Sequence, residues 1–549
     1  MGDAVRSHRA IRRAASRPTR PRLDAVDLEV FRHRFAAVAE EMGAALQHSA
    51  FSPNIKERRD FSCAVFDARG ELVAQGDHMP VHLGSMGDSV RAALANARLD
   101  RDDMVLLNDP YSGGTHLPDL TLVAGVWSVG RPILYVASRA HHSDIGGMRP
   151  GSMPLSREIF QEGLRLPPVR VVRGGRLEED LLRILFANVR TPQERRGDLL
   201  AQVAANRTGL RRLRELCAQH GARLVVAAAA ALMDYSERRM RAALRRMPAG
   251  AYRAVDHLDP GEEGRAPVLR VKVTLRAGGA RVDFAGTDPQ LPDCRNAVAS
   301  ITCAAVYYVF RCLAGADLPS NAGAWRPIAV RVPAGSLLAA RPPAAVAAGN
   351  VETSQRAVDV VLRALAPALP DRVPAASQGT MNNLTLGGIG RDGASFAYYE
   401  TMAGGMGARP SADGLSAVHT HMTNSLNTPA EALEQALPVR LTRYALRRGS
   451  GGSGRRQGGD GLVREFEFLG PVECTLIAER RVLAPWGLRG GRSGRPGVNR
   501  VRVGPSAGWR RMEGRFSLRL PAGSALRVET PGGGGWGAPR RRARGRHTG

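Results

Sequence analysis

Asn108-Asp109-Pro110-Tyr111-Ser112-Gly113-Gly114-Thr115-His116-Leu117-Pro118-Asp119 opens the stretch that decides how this chain is read. Ser138-Arg139-Ala140-His141-His142-Ser143-Asp144-Ile145-Gly146-Gly147 closes it. Between them, residues 120–127 and 133–137 are short apolar runs separated by a turn signal, which predicts a β-hairpin. A hairpin returns its far end to its near end, so the two His/Asp clusters are expected to meet. Imidazole nitrogens and carboxylate oxygens suit a borderline divalent metal such as zinc, manganese or iron. His116, Asp119 and His141 are the expected ligands, three protein groups that leave a position open for water or substrate. Asp109, His142 and Asp144 are expected to orient the ligands or to act as general base. The ordinary reading of such loop residues is turn hydrogen bonding. Their concentration at both ends of one hairpin weighs against it.

Upstream, Phe31, Phe35, Val38, Met42 and Leu46 recur at spacings of three and four, which predicts a helix over 28–47 with Asp27 as N-cap. Residues 62–66 read as a strand, Asp67-Ala68-Arg69-Gly70 as a turn and 71–74 as the returning strand. Residues 104–107 form another apolar run. Downstream, 181–247 reads as helical with breaks near Thr191-Pro192 and at Gly221. Residues 268–284 alternate like two strands around Ala277-Gly278-Gly279, and 304–313 and 352–365 read as helices. The last third is glycine-rich with short strands, densest at 449–461 and 531–537. No fixed-period repeat is present. The irregular interleaving predicts an α+β class, a large mixed multi-layer fold rather than a regular βαβ array.

The chain has 549 residues, 43% of them hydrophobic and 23% charged, enough to bury a core. Its formal charge of +27 first suggests a polyanion partner. However, only Lys56 and Lys272 are lysines, and the arginine excess accompanies abundant Ala, Gly and Pro, a compositional bias. Residues 1–23 carry seven Arg and one Asp, and 540–549 carry five Arg and no acid, so the ends hold eleven of the 27 net charges. Nucleic-acid binding is therefore not expected. Residues 1–24 and 539–549 are read as disordered basic tails around one unit, 25–538. The N-terminal tail resembles a transit peptide in composition but has no apolar core of a secretory signal. Six cysteines without a Cys-x-x-Cys pair exclude a zinc ribbon and suit a reducing cytoplasm. The longest apolar run, 224–233, is too short to span a membrane. A soluble, cytoplasmic protein is expected.

Several other segments are candidates for contacting a substrate. Gly76-Asp77-His78-Met79-Pro80-Val81-His82 carries two histidines that either line the same pocket or serve the core. Val351-Glu352-Thr353-Ser354-Gln355-Arg356 precedes an apolar helix. It is either a cap through Thr353 or Ser354, or a helix N-terminus aimed at an anion with Arg356 adding charge. Ser377-Gln378-Gly379-Thr380-Met381-Asn382-Asn383 is amide-rich and either binds a small polar ring or satisfies a buried loop. His78, Glu352, Arg356, Asn382 and Asn383 are the resulting substrate-contacting candidates. The glycine-rich run 400–409 lacks the Lys-Ser/Thr ending of a phosphate-binding loop, and no such loop occurs in the chain.

Taken together, these segments resemble the hydantoinase B/oxoprolinase family. The resemblance rests on Arg58-Arg59-Asp60-Phe61-Ser62-Cys63-Ala64, the 76–86 segment, the 108–119 motif, His141-His142-Ser143-Asp144-Ile145-Gly146-Gly147 and Pro150-Gly151-Ser152. It continues through Gly349-Asn350-Val351-Glu352-Thr353-Ser354-Gln355-Arg356, the 404–413 segment, His419-Thr420-His421-Met422-Thr423-Asn424 and Thr530-Pro531-Gly532-Gly533-Gly534-Gly535. It runs in order from about residue 25 to 538. It implies a hydantoinase B-type fold with irregular Gly-rich β segments, and an A-type partner that binds ATP and phosphorylates the amide oxygen of a small cyclic amide. The B-type chain then directs water onto the activated carbon, within a hetero-oligomer. Related ketone carboxylases carry a metal in the corresponding subunit, at positions matching His116, Asp119 and His141. Two departures stand out: Gln457 where an arginine precedes paired glycines, and Arg295 where a small or apolar residue is usual. The competing readings are a ketone carboxylase subunit and a non-catalytic polyanion-binding protein.

Overall fold

The structure, a computed structural model, describes residues 23–539 apart from Asp77 and Glu263. The tails read from the sequence lie outside these residues except for Leu23, Asp24 and Pro539.

A seven-stranded antiparallel sheet holds the decisive hairpin. Its strands are β1 (Phe61–Asp67), β2 (Leu72–Gln75), β3 (Met104–Leu107), β4 (Asp119–Ser128), β5 (Arg131–His141), β6 (Val169–Arg173) and β7 (Arg176–Leu177). They lie side by side in the order β2-β1-β5-β4-β3-β6-β7. Side chains alternate across the sheet as the pleat requires. Cys63, Val65, Leu120, Leu122 and Ala124 face the main core, while Ala64, Phe66, Val123 and Ala137 face a smaller one beneath the helix Ser85–Asn96. Both faces are therefore buried, which is why these strands read as continuous apolar runs.

The main core is closed by the helices Ala25–Ser49, Pro192–His220 and Ala222–Arg245. Phe31, Phe35, Val38, Met42 and Leu46 are all buried, as their spacing predicts. The first helix begins earlier than expected. Asp24, not Asp27, is the N-cap, and Asp27 completes a capping box from the third position. The second helix crosses the hairpin, where Gln202 Nε2 donates to Leu120 O at 2.9 Å and Asn206 Nδ2 to Leu122 O at 2.9 Å. The breaks fall at Thr191-Pro192 and Gly221, where the sequence places them. No single described helix is long and apolar enough to cross a membrane; two pass that test only as a pair, bent by 108° at Gly221.

A four-stranded sheet follows, Gly250–His257, Val268–Arg276, Gly279–Asp283 and Ile328–Arg331, with the helix Ser354–Leu365 packed on it. That helix starts later than the sequence suggests. Glu352 lies in a wide helical turn, Gly349–Thr353, that leads into it. Neither Thr353 nor Ser354 caps: their hydroxyls donate to Arg295 O and to Asn350 O (2.7 Å). The helix Ala299–Ala314 is longer at its start than the expected 304–313.

Two further antiparallel sheets, of four and five strands, share a second core in the last third of the chain. Beside them the glycine-rich segments form no sheet but run as extended strands in backbone contact. Gly405 N donates to Pro531 O, Gly452 N to Gly533 O and Gly533 N to Gly459 O, each at 2.9 Å. A Cβ on Gly533 would lie 2.1 Å from Met406 O, so this close approach requires glycine. The result is the mixed, multi-layer α+β architecture expected.

Candidate metal centre

Asp119 is the first residue of β4 and His141 the last of β5, and the two are direct cross-strand partners. His116 comes from the loop just before β4. Asn108 clamps that loop, donating to Leu117 O (2.7 Å) and Leu164 O (2.9 Å) and accepting from Leu166 N (2.7 Å). Gly114 lets it fold on itself, since a Cβ there would lie 2.5 Å from Asn108 O. The fold thus brings His116, Asp119 and His141 into one buried group.

Asp119 is the centre. Its Oδ1 lies 3.0 Å from His116 Nε2 and 3.3 Å from His141 Nδ1. Its Oδ2 lies 3.4 Å from His82 Nε2 and accepts from Thr115 Oγ1 at 2.7 Å. These spacings fit a divalent metal: bonds of roughly 2.0–2.1 Å in tetrahedral array separate donor atoms by about 3.3 Å. The N₂O donor set suits zinc, manganese or iron. Burial disfavours charge on every member. For Asp119 the attraction of His116, with hydrogen bonds from His141 and His82, outweighs burial and holds the carboxyl well below its ordinary range. For His116 burial is outweighed by Asp119, and the imidazole is raised. For His82 and His141 burial prevails and lowers both, favouring the neutral form that ligates metal.

Beside this group is a narrow cavity of about 10 Å³, room for one water molecule. Asp60, Met79, Val81, Asn350, Val351, Met381, Tyr399, Thr401, Thr423 and Ser425 complete its wall. The Asp60 carboxylate has no hydrogen bond among the described residues. Its backbone is pinned instead: Asp60 N donates to Asn54 O (3.1 Å), and His141 N donates to Asp60 O (3.0 Å). Asn350 Nδ2 lies 3.1 Å from His116 Nε2. A larger surface groove, about 580 Å³ along Lys272, Thr274 and Arg281, is open and gathers no His/Asp trio; the candidate metal group borders the small cavity instead.

The other sequence candidates have different surroundings. Asp109 accepts from Tyr111 N at 3.0 Å and closes a turn. His142 Nε2 pairs with Gln202 Oε1 at 2.9 Å. Asp144 accepts from Gly146 N and Gly151 N and pairs with Arg190 at 3.0 Å, tying down its own loop. His78 lies half-buried on the Cys63 backbone, 3.8 Å from Glu40. Arg356 lies in a buried ionic cluster with Asp256, Asp359 and Arg480. Asn382, at φ +49°, accepts from Arg481 Nη2 at 2.8 Å. Glu352 and Asn383 are fully buried and bonded to each other at 2.7 Å. Burial pushes the Glu352 carboxyl up to about 8, against hydrogen bonds from Thr380 and Met381. None of these eight forms the cavity wall. Arg295, the unusual residue, pairs with Asp293 (2.7 Å) and Glu479 (3.3 Å) away from the cavity.

Sequence reasoning does not single out Asp60, Asn350 or Tyr399, and it leaves His82 between lining the pocket and serving the core; His82 lies on the cavity wall. Asp60 has a signal, its place in Arg58-Arg59-Asp60 beside a buried strand. Tyr399 has none, because nothing local ties it to the hairpin.

The chain matches the hydantoinase B/oxoprolinase family model over residues 24–539. It is 40% identical to 5-oxoprolinase 1 of Arabidopsis thaliana over 94% of its own length, and spans 42% of that longer protein. It is 30% identical to the B-type subunit of a putative D-/L-hydantoinase from a Pseudomonas strain, covering 94% of this chain and 90% of that one. The crystal structure of the ATP-dependent caprolactamase from Pseudomonas jessenii superposes with a TM-score of 0.89 at 29% identity, over 95% of this chain and 92% of that one. From its first described helix to its last glycine segment, the chain belongs to the hydantoinase B/oxoprolinase family.

Proposed function

We propose that this chain is the water-directing B-type component of an ATP-dependent cyclic amide hydrolase. Its substrate is a five-membered lactam or hydantoin whose amide oxygen has been phosphorylated by an ATP-binding A-type partner. The observation that carries this reading is the Asp119-centred His/Asp group, buried beside a water-sized cavity, in a chain 40% identical to a 5-oxoprolinase. An unactivated amide resists water, and a phosphorylated imidate supplies a good leaving group. The hydantoinase relative, itself named as one subunit of its enzyme, supports a separate partner chain.

His116, Asp119 and His141 hold a divalent metal, zinc, manganese or iron. Such an ion, when bound, lowers the pKa of water or polarises a carbonyl. The Asp60 carboxylate, unpartnered on the cavity wall, takes the proton of the attacking water. The hydroxyls of Thr401, Thr423 and Ser425 orient the ring. His82 and Thr115 hold the far oxygen of Asp119, fixing the carboxylate plane. A ring exceeds the present cavity, so its wall rearranges when substrate enters.

Co-purification with the A-type partner, followed by phosphate release from ATP with 5-oxoproline, hydantoin or N-methylhydantoin, tests the reading. Stimulation by one of these with ring-opened product is expected. Stimulation only by acetone with bicarbonate would replace the reading with ketone carboxylation.

A further inference from the structure

Metal-ligating histidines ordinarily fix their ring through the second nitrogen, hydrogen-bonded to a carbonyl or carboxylate. At this centre His116 Nδ1 faces Ala347 O at 3.4 Å, and His82 Nδ1 pairs with Ser62 Oγ at 2.8 Å. His141 differs. Its Nδ1 faces Asp119, and its buried Nε2 has no hydrogen-bond partner. What the ring has instead is Tyr399, stacked face to face with centroids 4.3 Å apart and planes 17° apart.

Tyr399 is itself held at both ends. Its hydroxyl donates to Asn383 Oδ1 at 3.0 Å. Asn383 Nδ2 donates to Glu352 Oε1 at 2.7 Å and to Ile477 O at 2.9 Å. Glu352 is in turn fixed by Met381 N–H on one oxygen (3.0 Å) and Glu479 N–H on the other (3.1 Å). At the backbone end, Arg58 Nη1 donates to Tyr399 O at 2.8 Å, and its guanidinium lies 5.1 Å from the ring centre. Every polar side chain in this chain of contacts is buried.

We propose that Tyr399 is a positioning residue for His141, taking the place of the missing hydrogen bond, and that Asn383 and Glu352 are its tether rather than substrate contacts. The inference rests on the reading of His141 as a metal ligand. A ring that is free to turn about its Cβ–Cγ bond offers its nitrogen to a metal only part of the time; the stacked phenol confines it. Tyr399→Phe keeps the stack and removes the tether, and Tyr399→Leu removes both.

The test uses the full chain in complex with its ATP-binding partner. Two quantities are read: the metal dissociation constant, by competition with a chromogenic chelator, and the visible spectrum of the cobalt(II)-loaded protein. Tyr399→Leu is expected to weaken metal binding by about 10–100-fold and to alter the cobalt bands. Tyr399→Phe is expected to weaken it less, up to about tenfold, and Asn383→Ala added to Tyr399→Phe should cost little more, because both cut one tether. Unchanged affinity and an unchanged spectrum in Tyr399→Phe and Tyr399→Leu, with His116→Ala losing the metal, overturn the positioning role alone. If Tyr399→Leu does not fold, Tyr399→Phe decides by the same two readouts. If His116→Ala also binds metal like the native chain, the metal reading falls and this inference with it.

Discussion

His82 Nε2 stands 3.4 Å from Asp119 Oδ2, on the oxygen that His116 and His141 leave free. One buried carboxylate therefore meets three imidazoles, two through one oxygen and one through the other. A carboxylate so shared cannot rotate without breaking contacts on both sides. His82→Ala should lower ring-opening activity by about 10–100-fold while leaving more metal bound than a ligand substitution does. Metal content and kcat measured on the same preparation check this; full activity would leave His82 a core histidine.

His116→Ala and Asp119→Asn should each lose bound metal and at least about 100-fold of the activity, since each removes one of three donors. Asp119→Asn is the sharper case. The carboxyl is held ionised by its histidines, and an amide presents those imidazoles with no charge. Metal analysis after dialysis, paired with phosphate release in the presence of the partner, reads both effects. Full activity in both variants would sink the proposed site.

The local parts of this architecture were legible because they obey short periods. The stripe from Phe31 to Leu46 repeats on a helix face, the Thr191-Pro192 and Gly221 breaks are backbone chemistry, and a hairpin must bring position 119 beside 141. What was not legible comes from far along the chain. Tyr399 reaches His141 from a strand of another sheet far along the chain, and no pattern near residue 399 encodes that. Asp144 shows the converse. It sits in the right motif, yet two backbone N–H groups of its own loop and Arg190 occupy it. Glycine density at 531–537 was visible, but which backbones those glycines meet depends on segments 376, 406, 450–459 and 486–492 arriving together.

Glu162 predicts a pH dependence of stability. It is fully buried, and burial pushes its carboxyl up to about 7 against hydrogen bonds from Ala347 N–H, Ser156 and Val346 N–H. Its ordinary value is 4.5. Between these values the folded chain holds a proton that the unfolded chain has lost. The contribution is fully present below about 4.5 and is lost as pH rises through about 7. Glu162→Gln keeps an oxygen for the two backbone donors, and its nitrogen replaces Oε2, which has no partner. The variant should match the native chain near pH 5 and exceed it by about 1–3 kcal/mol at pH 8. Urea midpoints across that range check the slope; parallel curves would refute it.

Gly533→Ala tests the glycine layer. The added Cβ would lie 2.1 Å from Met406 O, 2.3 Å from Met406 C and 2.7 Å from Gly407 N, all backbone atoms. They cannot yield separately. Met406 N donates to Leu415 O at 2.9 Å, Gly407 N donates to Ser377 Oγ at 3.1 Å, and Gly533 N donates to Gly459 O at 2.9 Å. Relief therefore means parting several segments at once, which should cost on the order of 3–5 kcal/mol or prevent folding. Gly130→Ala is the control. Its φ of +73° is a left-handed conformation that Gly533 does not share, and nothing lies within 4 Å of the added carbon. That substitution should cost only about 1–2 kcal/mol, the strain of a left-handed residue. Urea unfolding of the two variants side by side separates close approach from backbone conformation. Equal losses would mean that the close approach at Gly533 costs no more than a left-handed backbone and that the extended segments do not depend on contact.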